Sequence, residues 1–362
     1  MKKIILFFYG IFFLAGAFAQ EARAPWPQSA ANAWYARQGW LRGCDFIPST
    51  AINQLEMWQA ATFDTATISR DLGYAQGIGL NCMRVFLHHL AWQQDSAGFK
   101  NRMNQYLTIA DRRGIKTIFV FFDDCWNENY HAGTQPAPKP GIHNSGWLRD
   151  PGKLLYDDPA LIKILQTYVE DVLKTFRDDR RILLWDLYNE PGNSGYGNKS
   201  LPLLKDAFEW SWKINPSQPL TAGLWNPELK DLNRFQLESS DVISYHNYEN
   251  EQAHRKVIDS LRKYGRPLVC TEYMARLRNS TFFDIMPLLK KENIVAINWG
   301  LVSGKTNTIY AWDTPIPDGS EPKIWFHDIF RPDGRPYSQQ EVELIMSLTG
   351  VKAPSQVQPA SF

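Results

Sequence analysis

The chain has 362 residues, of which 44% are hydrophobic and 21% are charged, a composition typical of a globular domain with ample material for a core. Its 39 Lys and Arg nearly balance its 38 Asp and Glu, so no basic excess is available to bind the phosphates of nucleic acid. The aromatic content is high, with 14 Trp, 15 Tyr and 20 Phe. Such an excess of flat, amphipathic rings favours a ligand that stacks on them, and sugar rings fit that description.

The first 19 residues have the pattern of an export signal peptide. Lys2 and Lys3 precede an apolar run over residues 4–13, and Ala17-Phe18-Ala19 provides the small residues of a cleavage site. The run is too short to span a membrane comfortably, and no second run follows it. We therefore expect a periplasmic or extracellular protein whose mature chain has no membrane span.

Eight short β-rich runs alternate with helical patterns along the rest of the chain. The runs cover residues 40–46, 81–87, 116–122, 182–187, 220–224, 242–246, 267–271 and 294–299. Apolar residues at helical spacing occupy 99–110, 161–176 and 257–264, and a weaker helical segment covers 228–237. Most of the β-rich runs are continuously apolar, as in parallel strands covered on both faces. The pattern predicts an α/β fold, a (β/α)8 TIM barrel.

The barrel is predicted to form one catalytic domain over residues 20–350, followed by a disordered tail over 351–362. Two long insertions follow the third and eighth β-rich runs, at residues 125–157 and 303–337. Both leave the carboxyl ends of strands, which is the face where such barrels place their active sites. We expect the first insertion, with its Trp and His residues, to line the substrate cleft.

Four cysteines are too few for a disulfide framework in an exported chain of this length. Cys44, Cys82 and Cys270 lie in apolar runs, which favours small buried hydrophobic side chains. The sequence leaves open a single bridge between Cys44 and Cys82. The cysteine spacings match no paired zinc-binding pattern, so no metal site and no cofactor are predicted.

Two glutamates follow apolar strands. Glu190 follows the fourth run, in Trp185-Asp186-Leu187-Tyr188-Asn189-Glu190-Pro191, and Glu272 directly follows the seventh. In a closed barrel of eight strands, the ends of these two strands face each other across the mouth. Two carboxyl groups on either side of one bond are what glycoside cleavage requires, one as acid and the other as nucleophile or base.

These residues carry a family resemblance. The chain resembles the clan A glycoside hydrolases, and in particular the family 5 cellulases and mannanases, over nearly the whole mature sequence. The matching features, in strand order, are Arg84, Asn189-Glu190, His246-Asn247-Tyr248, Glu272 and Trp299. The motif Trp-Asp-x-x-Asn-Glu, over residues 185–190, is equally similar to the corresponding motif of family 10 xylanases. A histidine common near the third strand of family 5 is replaced here by Asp123-Asp124-Cys125-Trp126.

The resemblance implies a retaining β-glycoside hydrolase acting on an oligo- or polysaccharide of the glucan, mannan or xylan type. It implies that Glu190 is the general acid/base and Glu272 the nucleophile, with carboxyl groups about 5 to 5.5 Å apart. Asn189 is then expected to hold the substrate 2-hydroxyl, and Trp299 to floor the subsite of the scissile sugar. Arg84 and Tyr248 are expected to position Glu272, and Arg84 favours its ionised form.

Further residues are candidates for contact with substrate. His246 is carried over with its strand, and one of His88 and His89 is expected to face the site while the other packs, with His88 as the candidate. Trp126 is a candidate sugar platform, as are Trp92, Trp147, Trp225 and Trp312. Asp123 and Asp124 are expected either to bind sugar hydroxyls or to cap the following loop.

Two alternatives remain at this point. A metal-dependent barrel hydrolase requires grouped histidines or carboxylates, whereas the first strand offers only Cys44-Asp45 without a histidine pair. A carbohydrate-binding barrel without catalysis would keep the fold, although both glutamates are present in this chain. The particular sugar and the oligomeric state do not follow from the sequence.

Overall fold

The computed structural model describes residues 23–352, and these residues form the predicted (β/α)8 barrel. The strands are β1 (Arg42–Asp45), β2 (Cys82–Phe86), β3 (Lys116–Asp123), β4 (Ile182–Asn189), β5 (Leu220–Thr221), β6 (Ile243–His246), β7 (Leu268–Tyr273) and β8 (Val295–Trp299). All of the ladders are parallel. The predicted signal peptide and residues 353–362 of the predicted tail lie outside the described residues.

The strands pair in the order β5-β4-β3-β2-β1-β8-β7-β6, which leaves a seam between β5 and β6. Two backbone hydrogen bonds cross the seam, and they do not form a continuous ladder. Leu224 N donates to Ser244 O at 3.0 Å, and His246 N donates to Leu224 O at 2.8 Å. The run predicted over 220–224 therefore forms a ladder with β4 over two residues only, while its last residue pairs with β6.

The helices pack around the strands. They are α1 (Gln28–Ala36), α2 (Gln54–Trp58), α3 (Thr65–Gly77), α4 (His89–Gln94), α5 (Ser96–Asp111), α6 (Leu154–Asp157), α7 (Leu161–Phe176), α8 (Leu201–Ile214), α9 (Lys230–Ser239), α10 (Glu251–Arg262), α11 (Phe282–Lys291) and α12 (Gln339–Thr349). The helical patterns predicted from residue spacing correspond to α5, α7, α9 and α10. Several helix starts are capped by side chains; Asp64, for example, accepts from the backbone of Ala66 and Thr67 ahead of α3.

Side chains alternate between the two sides of the barrel wall, and this alternation positions the site. In β2, Met83 and Val85 face outward into the core between strands and helices. Cys82 faces inward at the bottom of the barrel, in a cluster with Ile118 and other aliphatic residues. Arg84, on the same inward face and nearer the mouth, is fully buried. The apolar interior thus gives way to a polar layer at the carboxyl ends of the strands.

Two long loops, over residues 124–153 after β3 and 300–338 after β8, lie on that rim and bond to each other. Asn144 N donates to Thr306 O at 2.8 Å, and Ile316 N donates to Gly141 O at 3.0 Å. The positive φ of Gly141 (66°) and its close approach to the Ile316 carbonyl require the absence of a side chain there. The first loop is therefore held in place by the second.

All four cysteines are free and buried, so the bridge that the sequence left open between Cys44 and Cys82 is absent. Both side chains instead fill space in the packed interior, and the Cys44 thiol contacts Met83 Sδ at 3.3 Å. Among the helices formed by residues 23–352, none has both the length and the apolar character needed to cross a membrane.

Candidate active site

The two predicted glutamates meet at the mouth of the barrel. Glu190 follows β4 directly, and Glu272 lies near the end of β7. One carboxylate oxygen of Glu190 and one of Glu272 lie within 4.8 Å of each other. Their side chains are 13% and 6% exposed, so both carboxyl groups are largely withdrawn from solvent. The strand positions inferred from sequence therefore bring the pair together as expected.

Glu190 has an unusual backbone conformation. Its φ is +44°, in the left-handed region, although it carries a side chain and precedes Pro191. Trp126 and Met274, which follow β3 and β7, also have positive φ values of 72° and 74°. Such conformations cost about 1–3 kcal/mol each and persist where the surrounding structure holds them, often at functional sites. The strain therefore coincides with the rim where the two glutamates meet.

Arg84 is the centre of a buried charge cluster beneath the pair. Its guanidinium donates to Asp45 Oδ1 at 2.8 Å, Asp186 Oδ2 at 2.9 Å, Glu272 Oε1 at 2.9 Å and Asn189 Oδ1 at 2.6 Å. A buried carboxylate is costly unless a cation or hydrogen-bond donors compensate it. Through its hydrogen bonds, the buried Arg84 guanidinium therefore fixes the side-chain conformations of Glu272 and Asn189 at the site.

Glu272 is held on both oxygens. Arg84 donates to Oε1, and the Tyr248 hydroxyl donates to Oε2 at 2.7 Å. Burial raises the pKa of Glu272 above its usual range, and the nearby Glu190 raises it further, whereas His246, Arg84 and the Tyr248 hydroxyl act in the opposite direction. Of the two glutamates, Glu272 is the one with a guanidinium at hydrogen-bond distance. It is therefore the one favoured as the carboxylate.

Within residues 23–352, Glu190 has no lysine or arginine at hydrogen-bond distance. Its Oε1 is 2.8 Å from His246 Nδ1, and its Oε2 accepts from the Cys125 thiol at 3.2 Å and from the Asn193 amide. Burial raises the pKa of Glu190, while the hydrogen bonds from Cys125 and Asn193 and the more distant charge of Arg84 lower it. The net effect is upward. This environment suits a carboxyl group that must be protonated to act as an acid.

His246 lies between the two glutamates. Its Nδ1 is 2.8 Å from Glu190 Oε1 and 3.4 Å from Glu272 Oε2. Burial lowers the pKa of His246 to about 4, so the ring is neutral near pH 7. Its Nε2 is buried and has no hydrogen-bond partner among the described residues. A proton on Nδ1 then serves both carboxyl groups, whereas a proton on Nε2 would be an orphaned donor.

Asn189 is oriented from both ends of its amide. The oxygen accepts from Arg84, and Nδ2 donates to Asp123 Oδ1 at 2.9 Å. Asp123 in turn accepts from Trp147 Nε1 at 2.7 Å. Burial raises the pKa of Asp123 to about 6. Asp123 thus contacts neighbouring protein groups, and Asp124 caps the loop after β4 by accepting from Gly192 N and the Ser200 hydroxyl.

A cleft of about 1160 Å³ lies over the pair. Its tryptophans are Trp299, Trp126, Trp225 and Trp312. Of the other candidate platforms, Trp147 is 2% exposed and packs beneath the surface. Trp92 packs against Tyr168 and donates to Asp171, away from the cleft. From the loop after β3, Cys125, Trp126, His143, Asn144 and Arg149 line the cleft, whereas His131 does not.

His88 does not face the cleft, contrary to the expectation for one member of the histidine pair. His88 and His89 are 0% and 1% exposed and stack at 5.1 Å between ring centroids. The chain turns into α4 immediately after β2, so His88 Nδ1 caps this helix by accepting from Leu90 N. His89 bonds to Asp150. Both rings therefore hold the β2 and β3 loops together.

Several residues of the site were not identified from sequence. Cys125 and Asn193 bond to Glu190, and Asp45 and Asp186 bond to Arg84. A signal existed for the last two, because an acidic residue inside an apolar strand requires a buried partner. Nothing in the spacing along the chain connects Cys125 to Glu190, which lies 65 residues away.

Glu190, His246 and Glu272 are close enough together to form a possible metal-binding group. Their present contacts argue against that use. Arg84 and Tyr248 donate to opposite oxygens of Glu272, and a guanidinium 2.9 Å away repels a cation. The donor set is therefore better suited to an acid and a nucleophile than to a metal-dependent hydrolase.

This chain resembles known proteins in structure but not in sequence. No protein-family model and no curated protein sequence matches it. Solved structures do match. An endo-β-1,4-mannanase from Thermotoga petrophila is 14% identical, with a TM-score of 0.55, over 88% of this chain and 78% of that chain. The GH5_18 protein from Streptomyces cattleya, in complex with GlcNAc, is 10% identical, with a TM-score of 0.57, over 87% and 82%.

The endo-1,4-β-mannanase from Rhizomucor miehei is similar to the same extent, with 14% identity, a TM-score of 0.56 and coverage of 86% of this chain and 94% of that chain. At these identities the matches establish a shared barrel fold. The barrel fold implied by the resemblance to family 5 glycosidases is confirmed at that level.

Proposed function

We propose that this chain is a retaining β-glycoside hydrolase that cleaves β-linked glycans by double displacement. The observation that carries the proposal is the carboxylate pair, Glu190 and Glu272, with oxygens within 4.8 Å. Retaining enzymes hold their two carboxyl groups about 5 to 5.5 Å apart, whereas inverting enzymes leave about 6.5 to 9.5 Å for a water molecule. The different surroundings of the two groups support different roles for them.

In the first step, a carboxylate oxygen of Glu272 attacks the anomeric carbon and the glycosidic C–O bond breaks. Glu190 transfers its proton to the departing oxygen, and a glycosyl ester on Glu272 remains. Arg84 and the Tyr248 hydroxyl orient the attacking carboxylate through their hydrogen bonds. Trp299 lines the cleft, and we propose that its ring offers a flat face to the sugar being transferred.

In the second step, Glu190 takes a proton from water as the water oxygen attacks the anomeric carbon. The ester bond breaks, and Glu272 is released as a carboxylate while Glu190 is again protonated. Loss of the negative charge of Glu272 in the ester lowers the pKa of Glu190, so the same group acts as acid and then as base. Neither step requires a metal or an organic cofactor.

The substrate class is the β-linked glucan, mannan or xylan group. Two of the structurally similar proteins are β-1,4-mannanases, so β-mannosides are the first substrates to test. The export signal pattern of residues 1–19 places this activity outside the cytoplasm in our proposal, where such glycans are encountered.

The acid role of Glu190 is tested by varying the leaving group. Glu190→Ala should strongly slow cleavage of natural glycans, whose alkoxide leaving groups need a proton, and largely spare the first step with an activated aryl glycoside. The second step should then be slow, and the glycosyl-enzyme should accumulate to a level visible by mass spectrometry. Added azide, which needs no general base, should restore turnover and give a β-glycosyl azide.

A matched control is Glu343→Gln, at an exposed site on α12, which should behave as the wild type. Equal losses on both substrate types without azide rescue would show that Glu190 only supports the site. An α-configured azide product would contradict retention. A wild-type protein that binds β-glycans without cleaving them would instead be a carbohydrate-binding barrel.

A further inference from the structure

The cleft over the glutamate pair is lined unevenly around the barrel. Its lining residues lie at the ends of β3 to β8 or in the segments that come after these strands. Among residues 23–352, no lining residue belongs to β1, to β2 or to the segment directly after either of them. From Trp299, the cleft continues past Asn193 after β4, Trp225 and Asn226 after β5, and Asn247 after β6. Most of the lining residues follow β4, β5 and β6, whereas β8 and the loop after it contribute Trp299 and Trp312, so the cleft extends mainly over β4 to β6.

Packed aromatic rings close the β8 side. Trp147 lies against Trp299 with ring centroids 5.4 Å apart, and Phe86 packs against both, at 5.1 Å from Trp147 and 5.8 Å from Trp299. Trp147 is anchored by its hydrogen bond to Asp123. Close-packed rings of this kind do not move aside without loss of contact energy.

The space behind Trp299 is too small for a sugar. A void of about 20 Å³ lies there, lined by residues that include Asp45, Trp147, Thr308 and Asp328. This volume accommodates about one water molecule. A second sugar attached to the one over Trp299 and directed toward β8 therefore has no binding space in this structure.

The loops that complete this wall are tied down at several points. The His143 ring bonds to Tyr310 O at 2.8 Å, which joins the loop after β3 to the loop after β8. Asn53 Nδ2 donates to Gly146 O at 2.9 Å and Gln54 Nε2 donates to Leu148 O at 2.9 Å, which joins the first loop to α2. The wall is therefore a fixed part of the fold.

The position of the acid decides which end of a glycan meets the wall. Glu190 follows β4, and β4 and β8 lie on opposite sides of an eight-stranded barrel. The leaving group must extend toward Glu190, so the far end of the transferred sugar points at the Trp299 side. On the leaving-group side, Asn226 and Asn247 line the cleft, and because their side-chain oxygens accept from backbone N–H groups, their Nδ2 groups are the donors offered to sugar hydroxyls.

From this geometry we infer that the protein is exo-acting and removes one sugar at a time from the non-reducing end of a β-linked oligosaccharide. The inference rests on the proposed function and goes beyond it, because retention and the glutamate pair are compatible with internal cleavage as well. The glycone site holds a single sugar residue, whereas the remaining chain, as the leaving group, lies in the open part of the cleft.

The test compares p-nitrophenyl β-glycosides of mannose, glucose and xylose with those of the corresponding β-1,4-linked disaccharides, with products separated by chromatography. The monosaccharide glycosides of the accepted sugar should release nitrophenol at once. The disaccharide glycosides should first release a monosaccharide, and nitrophenol should follow only after a lag. Methylation of the terminal 4-hydroxyl should reduce kcat/KM by about 10- to 200-fold, the range for one extra carbon in a closed pocket.

The opposite outcome is direct release of an intact disaccharide with nitrophenol and without a lag, and it would overturn exo action while leaving the glycosidase proposal in place. Full tolerance of the methyl group would likewise show that the wall does not bound the glycone. Absence of turnover of every glycoside would overturn the proposed function itself. A Glu272→Ala variant identifies the site responsible for any hydrolysis observed, since it should be inactive on all of these substrates.

Discussion

The thiol of Cys125 provides the sharpest test of how the site tunes its acid. Cys125 donates to Glu190 Oε2 at 3.2 Å, and burial raises the pKa of this thiol, so it carries its proton at neutral pH. A hydrogen bond donated to a carboxyl group stabilises the ionised form and lowers its pKa. Cys125→Ala removes this donor and leaves Asn193 as the donor to the same oxygen.

The size of the effect follows from the strength of that bond. Hydrogen bonds to charged groups contribute about 1.5–3 kcal/mol, and a thiol is a weak donor, so about 1 kcal/mol is reasonable here. Since one pKa unit corresponds to about 1.4 kcal/mol, the pKa of Glu190 should rise by roughly 0.5 to 1 unit. The acid must be protonated to act, so the alkaline limb of kcat/KM should move to higher pH by the same amount.

The assay is the pH profile of kcat/KM on a glycan substrate for the wild type, Cys125→Ala and Cys125→Ser. The serine variant keeps a donor, and its alkaline limb should lie at or below that of the wild type. Cys82→Ala, at the bottom of the barrel, controls for the loss of a buried thiol elsewhere. An alkaline limb that stays in place or moves to lower pH in Cys125→Ala would refute the inference that this thiol lowers the pKa of the acid.

Three further predictions concern the charges around the pair. Glu272→Ala should lower kcat by roughly 10⁶-fold in activity assays, and calorimetry should show no decrease in the melting temperature. Normal activity of this variant would place the nucleophile elsewhere. Arg84→Met leaves Asp45, Asp186 and Glu272 without their cation, so urea unfolding should show a loss of about 3–5 kcal/mol at pH 7 and a smaller loss at pH 5, where carboxyl groups are more protonated. Burial raises the pKa of Asp124 from 3.8 to about 7, so its contribution to stability is complete below pH 3.8 and is lost as the pH rises through about 7. The unfolding free energy of the wild type should therefore fall relative to that of Asp124→Asn across this range, and parallel curves would contradict the prediction.

The barrel and the strands that carry the two glutamates could be predicted from the order of residues along the chain. Continuous apolar runs alternating with helical periodicity specify buried parallel strands, because few other arrangements cover both faces of such strands. An acid at the end of such a run, as at Glu190 and Glu272, then lies on the rim. These features depend on neighbours along the chain, and for that reason they can be read from one sequence. The run over 220–224 differed, since only Leu220 and Thr221 pair with β4, whereas Leu224 bridges the seam to Tyr245 of β6.

The groups that surround the two glutamates could not be predicted in this way, because they come together only in the folded chain. Several groups reach the pair from different strands: the Cys125 thiol, the His246 ring, and Arg84 with its bound carboxylates Asp45 and Asp186. Their contacts depend on the register of the barrel strands and on the path of the loops. The same is true of His88, which the start of α4 turns away from the cleft. Trp147 became part of the wall behind Trp299 because two loops far apart in sequence interlock on the rim. Contacts of this kind arise from packing between distant segments, whereas residue spacing reports only the periodicity of one segment at a time.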